Sequence, residues 1–363
     1  MPFYHDLKHY SDDPALGGYP GKSDWIARRL LTLRRDLHQA ITSGRRPNSL
    51  IVGSWNIRAF DGGIPRLDES MHYIAEIVSR FDICAIQEVR ADLTPVRRLN
   101  ELLGPNWDYF VNDTSDHEGG NHERMAFFYD RNKVMFRNLI GEIVVEKTAL
   151  TTGNQIARSP FFAAFQAGWF RFTLCSAHII FGPTDAGGLA QRAEEIGVIA
   201  KALTSRAKVE DQVYVLLGDM NIESRDGVVM QALKGSGLSV PEMPATNLGG
   251  DKFYDQIAFT TKGKAERKTR LIRSGAFDWR DAVYGPARGL FDGGERVSDA
   301  DNLAHYRPVC DALRQRHRLA PYKDFARSYK DWTSFEMSDH LPVWVELETD
   351  YSDDYLRRFV TAA

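Results

Sequence analysis

Six short segments set polar residues of catalytic type against apolar, strand-like runs, and their order constrains this chain more than any other feature. They are Ser54-Trp55-Asn56-Ile57, Ala85-Ile86-Gln87-Glu88-Val89-Arg90, Ser176-Ala177-His178, Leu217-Gly218-Asp219-Met220-Asn221, Tyr254-Asp255-Gln256-Ile257 and Ser338-Asp339-His340-Leu341-Pro342. Strand ends that gather Asn, Glu, His, Asp and Asn at one rim make a site for a hard cation and a phosphate. Ser49 to Trp55 reads as a strand, Leu67 to Phe81 as an amphipathic helix and Asp82 to Gln87 as a second buried strand. Strand, helix, strand with polar residues at the strand ends calls for a layered α/β architecture.

Further strands are expected over Met125–Tyr129, Lys133–Val145, Phe161–Gln166, Trp169–Ala177, Val213–Leu217 and Leu341–Leu347. Several follow one another without a helix between them, so antiparallel pairing and mixed sheets are expected. Helices are expected over Gly188–Lys208, Gly227–Leu233 and, near the start, Ser23–Ser43. In the last, Trp25, Ile26, Leu30, Leu33, Leu37 and Ile41 recur at three- and four-residue steps, Ser23 is the expected N-cap, and Arg28, Arg29, Arg34 and Arg35 are expected on a solvated face. The organisation expected is an N-terminal extension over 1–47, a catalytic domain over 48–350 and a tail over 351–363. Within the domain, 262–330 reads as an insertion rich in Tyr, Trp, Phe and Arg, with turn signals such as Asp292-Gly293-Gly294. It holds 16 Lys/Arg against 9 Asp/Glu and so is positive by 7.

The 363 residues, 43% hydrophobic, suffice for a large core, and the net charge of −3 excludes a general polycation, so nucleic-acid binding requires a local basic face. Cys84, Cys175 and Cys310 are few and widely spaced, which argues for buried free thiols. Residues Met1 to Gly21 contain no apolar signal-like core and no stretch approaches the ~18 apolar residues of a membrane span. A soluble, cytoplasmic monomer is the expectation.

Phosphodiester hydrolysis needs a positioned water, a base, charge stabilisation on the phosphoryl oxygens and help for the leaving oxygen. Magnesium, manganese and calcium take oxygen ligands, and Glu88, Asp339 and Asn56 supply them. Asp219 and Asn221, at i and i+2, share one side of an extended strand end. Singly, each residue has an ordinary explanation: an Asx turn, a solvated strand end or a core histidine. Together and in this order they do not.

The set resembles the endonuclease/exonuclease/phosphatase superfamily, and within it the deoxyribonuclease I-like branch, over roughly Asn48 to Leu347. The resemblance implies a four-layer α/β sandwich, two mixed β-sheets flanked by helices. It implies that Asn56 contacts phosphate or metal-bound water, that Glu88 is the main metal ligand with Asp339 a second, and that His178 protonates the leaving oxygen or stabilises the phosphoryl group. Asp219 would orient the attacking water, Asn221 would hold the phosphate, and His340 would be the general base, oriented by Asp255. Glu123 would orient His178, while Arg90 and Arg158 would grip substrate phosphate. The branch carries a tyrosine two residues before the glutamate, where this chain has Asn121, and the branch's disulfides have no counterpart here.

The resulting expectation is a Mg2+- or Mn2+-dependent phosphodiesterase, most simply a low-specificity DNA endonuclease, with Ca2+ admissible as an auxiliary ion. Two rivals stand beside it: the same scaffold acting on a phospholipid, sphingolipid or inositol phosphate, and an inactive binding protein with a relict site.

Overall fold

The computed structural model describes residues 2–12, 22–60, 66–114, 122–145, 149–151, 156–210, 212–261, 269–285 and 298–360. Their strands form two mixed six-stranded sheets. The first runs β11 (Leu271–Ala276), β12 (Val343–Glu348), β1 (Ser49–Phe60), β2 (Ile83–Val89), β4 (Arg124–Asp130), β3 (Trp107–Val111). The second runs β5 (Met135–Glu142), β6 (Phe161–Ala167), β7 (Phe170–His178), β8 (Val213–Asp219), β10 (Asp255–Thr260), β9 (Leu238–Ser239). Only β1 with β2 and β7 with β8 pair in parallel; the other pairs are antiparallel.

Strand periodicity builds the layers, because successive side chains point to opposite faces. In β1, Leu50 and Val52 enter the core between the sheets, while Ile51 and Trp55 enter the core under the helices. In β8, Val213, Val215 and Leu217 face the first sheet, and Tyr214 and Leu216 face the opposite helices. Val343, Val345 and Leu347 of β12 likewise face inward with Trp344 outward. Outside the first sheet pack α1 (Lys22–Leu37), α2 (Asp68–Val78), α3 (Thr94–Leu103), α6 (Arg280–Val283), α7 (Asp299–Arg316) and α8 (Phe325–Glu336). Outside the second pack α4 (Ala186–Val209) and α5 (Val228–Gly235), and α9 (Ser352–Arg357) follows β12. The result is the four-layer α/β sandwich expected from the sequence. The three cysteines are free and buried. Among the described residues no helix is long and apolar enough to cross a membrane.

Several local expectations are corrected. The first helix begins at Lys22, so Ser23 lies inside it and its hydroxyl donates to the Leu7 carbonyl instead of capping. The helix ends at Leu37 and passes into a π-helical turn, His38–Thr42. Arg29 is not solvated: it is fully buried, and its guanidinium donates to the Ala282 and Gly285 carbonyls and the Asn302 side chain. A stripe counted from apolar residues alone cannot see the polar side of a helix covered by a distant segment. Within 262–330 the chain keeps the layered plan where it is described, since β11 is an edge strand on β12 and α6 and α7 pack into the same core as α1. The turn at Asp292-Gly293-Gly294 and the position of Asn121 lie outside the described residues.

Candidate active site

Strand direction explains why residues spread from 56 to 340 meet. The C-terminal ends of the parallel strands β1, β2, β7 and β8 and the N-terminal ends of their antiparallel neighbours β4, β10 and β12 lie at one rim. The registers fix it: Val89 sits opposite Arg124, His178 opposite Asp219, Asp219 opposite Asp255, and Ser54 opposite Val343. Asn56 is not a strand end, because β1 continues to Phe60 with a register shift against β2 between Asn56 and Phe60. Asp255 opens its strand instead of closing one. The backbone at the rim is held in unusual conformations, with positive φ at Ala59, Glu88 and Asn221. Gly218 has φ 131°, and a Cβ there would meet the Ala177 carbonyl oxygen at 2.0 Å, so only glycine lets β8 pass β7 just before Asp219.

Asp219 is the hub. His178 Nε2 lies 3.4 Å and His340 Nε2 3.8 Å from its Oδ2, which also accepts from Asn56 Nδ2 at 3.0 Å. Each imidazole is held from behind by a carboxylate: His340 Nδ1 is 2.8 Å from Asp255 Oδ2, and His178 Nδ1 is 3.1 Å from Glu123 Oε2. Asn56 Nδ2 also reaches Glu88 Oε1 at 3.0 Å, and the other Glu88 oxygen accepts from the Ala59 amide at 2.7 Å. Asn221 completes an Asx turn: its amide donates to Asp219 Oδ1 at 2.9 Å and its side chain donates to the Ile179 carbonyl at 2.8 Å. Arg158 and Arg90 both point at Glu123, at 2.6 and 3.2 Å. Arg90 also lies 4.0 Å from Glu88.

Charge compensation sets the proton affinities. Burial works against ionised Glu123, but the His178 hydrogen bond and the charges of His178, Arg158 and Arg90 outweigh it and bring its pKa down to about 2. Burial likewise disfavours protonated His340, yet the charges of Asp255 and Asp219 raise it to about 10. Asp219 itself is lowered: the two histidines, the Asn221 amide and Asn56 together overcome burial.

Two groups of residues offer cation ligands. Asp219, Asp255 and His340 bring ligand atoms within 4.8 Å of one another, but His340 Nδ1 is engaged by Asp255. Beside them, Asn56 Oδ1 and Asp339 Oδ1 are buried and have no hydrogen-bond partner among the described residues. Buried oxygens left unpaired are costly, and a hard divalent cation held with Glu88 would satisfy both. The donor set fits such an ion.

Other residues shape the site without having stood out in the sequence. Arg192, fully buried on α4, donates to the carbonyls of Gly182, Pro183 and Asn221 and pairs with Glu223. It thus ties together the loops that follow β7 and β8. Ser338 Oγ bonds the Asn56 carbonyl at 2.5 Å and accepts from the His340 amide at 2.9 Å, while Trp55 Nε1 donates to the His340 carbonyl. An arginine on a long amphipathic helix reads as surface until the loops it fastens are placed. Ser338, adjoining Asp339-His340, was within reach of the motif.

Two sheets thus bring two His–carboxylate pairs to one buried aspartate, Asp219. Residues 53–303 match the Endonuclease/Exonuclease/phosphatase family, and the chain belongs to it. Members of the family hydrolyse phosphoester bonds. Solved structures share the fold at low identity. An endonuclease/exonuclease/phosphatase family protein from Bacteroides thetaiotaomicron is 17% identical with TM-score 0.53, covering 85% of this chain and 100% of that one. A mannosyl-6-phosphatase of the same species is 17% identical with TM-score 0.52, covering 82% and 99%. The human Nocturnin catalytic domain is 13% identical with TM-score 0.50, covering 84% and 95%. No curated protein is significantly similar in sequence.

Proposed function

We propose that this protein is a metal-dependent phosphodiesterase acting on nucleic acid, with DNA as the favoured substrate. The observation that carries the reading is the convergence of His178 and His340, each backed by its own carboxylate, on the single Asp219 carboxylate. A phosphate set over that carboxylate has an imidazole on either flank, which is what a displacement with an attacking and a leaving oxygen requires. Asp255 fixes the ring of His340 by bonding Nδ1, which leaves Nε2 to take the proton of the attacking water. Asp219 orients that water. His178, held by Glu123, donates to the departing oxygen, and Asn221 and Asn56 position the phosphate. Glu88, Asp339 and Asn56 would hold Mg2+ or Mn2+, which when bound supplies charge stabilisation at the phosphoryl oxygens. Positive charge at that position also opposes the extra proton that the carboxylates otherwise keep on His340. Attack is in a single step, with no covalent enzyme intermediate.

The test is nicking of supercoiled plasmid with magnesium, manganese or EDTA by the wild type and by His340→Ala. We expect metal-dependent nicking that falls by roughly 10²–10⁴ in the variant. A folded wild type that leaves plasmid intact in both metals would remove nucleic acid from the reading and move small phosphate esters to the front.

A further inference from the structure

The arginines expected to grip substrate phosphate are otherwise occupied: Arg158 and Arg90 both serve Glu123, and Arg158 is 5% exposed. Cations without such a partner line a groove beside His340. The groove, of about 550 Å³, runs from Asp339 and His340 to α8. Arg327 and Lys330 of α8 line it, are exposed, and stand three residues apart and hence on one helix face. Neither side chain has a charged partner among the described residues. Arg58, also in the groove, differs: its Nη1 is held by Asp331 Oδ1 at 2.8 Å and by Ser334. Of the two groove carboxylates, Asp331 is paired with Arg58, and among the described residues neither Asp331 nor Asp339 forms an ion pair with Arg327 or Lys330. Tyr254 forms part of the same lining, partly exposed, with its ring 5.6 Å from the His340 ring. Cations beside an aromatic face, next to a phosphate centre, are the elements of a single-strand track.

We propose that the α8 groove is a second phosphate subsite for a single nucleic-acid strand. Arg327 and Lys330 hold the phosphate next to the scissile one, and Tyr254 stacks on the nucleoside between them. The inference rests on the phosphodiesterase reading for the position of the scissile phosphate, and it names what selects the substrate. A small phosphate ester, lacking the second anion, makes no use of α8.

The experiment measures binding of a short fluorescein-labelled single-stranded DNA by anisotropy in EDTA. It compares wild type, R327A/K330A and K208A/K234A, the last removing two exposed lysines on α4 and α5. We expect Kd to rise about tenfold in R327A/K330A and the slope of log Kd against log salt to become shallower by about 1.4, two single-strand contacts, with the K208A/K234A protein resembling wild type. Y254A is expected to weaken binding without changing the slope. Unaltered Kd and slope in R327A/K330A, an equal loss in K208A/K234A, or no binding by wild type would each overturn the subsite. Hydrolysis of bis(p-nitrophenyl) phosphate by the wild type with Mg2+ or Mn2+ tests the phosphodiesterase reading separately. No turnover there, with α8-dependent binding intact, sinks the enzymatic reading and leaves the strand site standing.

Discussion

Asp255 shows how a buried residue sets the proton affinity of another. Its carboxylate, with Asp219, raises His340 to about 10 against the effect of burial. Asp255→Asn removes one of the three carboxylate charges that raise His340, so the acid limb of the kcat/KM profile moves to lower pH while kcat falls through loss of ring orientation. A pH–rate profile of the variant checks both, and a limb that stays in place would show that His340 is not the group titrating. Glu195 illustrates the opposite sign. It is 2% exposed, and burial, only partly offset by the Ile180 amide and Arg158, raises it to about 7 from the ordinary 4.5 of a glutamate. Between those values the folded protein keeps a proton that the unfolded chain has lost. Stability therefore falls as pH rises through that window, and the penalty is complete above it. Glu195→Gln should recover on the order of 2 kcal/mol at pH ~8 and little at pH ~4. Thermal melts at the two values decide it; equal shifts at both would refute the assignment.

At the scale of elements, the β7–β8 junction carries the site. The two strands run parallel through His178 and Asp219, and the Gly218 backbone passes against the Ala177 carbonyl with no room for a side chain. Gly218→Ala combines a positive φ with that overlap, so we expect a loss of about 3 kcal/mol and displacement of Asp219 from both imidazoles. Chemical denaturation measures the first and activity per folded molecule the second. Arg192 acts at the same level from α4 by clamping the carbonyls on which Asn221 and the 182–183 turn rest. The strands were legible because their apolar residues alternate with period two. The edge strand β11 and the helix α7 were not, since their apolar residues are few and scattered among charges, whereas α3, with Val96, Leu99, Leu102 and Leu103 at helical spacing, carried a readable stripe that was passed over.

At the scale of the whole molecule, α1 is proposed to be part of one cooperative unit with the layers it packs on. Ile26, Leu30, Leu33 and Leu37 of α1 are at most 3% exposed and join the core formed by α2, α6 and the outer face of the first sheet. Four such side chains at ~2 kcal/mol each approach the ~5–15 kcal/mol that holds a typical domain together. A chain starting at residue 48 should therefore lose cooperative unfolding, as read by calorimetry, and not yield an active core. A truncated protein melting like the full chain would show α1 to be dispensable. Layering of this kind is also why the site could be anticipated. Parallel β1–β2 and β7–β8 pairs with antiparallel neighbours send the ends that carry Glu88, His178, Asp219, Asp255 and His340 to one rim.

The sequence by itself determined the strand cores and a layered α/β class with mixed sheets, because periodicity is a local property written along the chain; the four-layer arrangement was implied by the family resemblance of the polar motifs. Only the tertiary structure decided what those residues touch. It turned Arg90 and Arg158 toward Glu123, buried Arg29 under α6 and α7, set Arg192 behind the loops that follow β7 and β8 and brought Arg327 and Lys330 to the groove beside His340. An arginine's long stem and indifferent helix position leave no local trace of its partner. Whether it grips a ligand, a carboxylate or a carbonyl depends on which distant segment the fold lays against it.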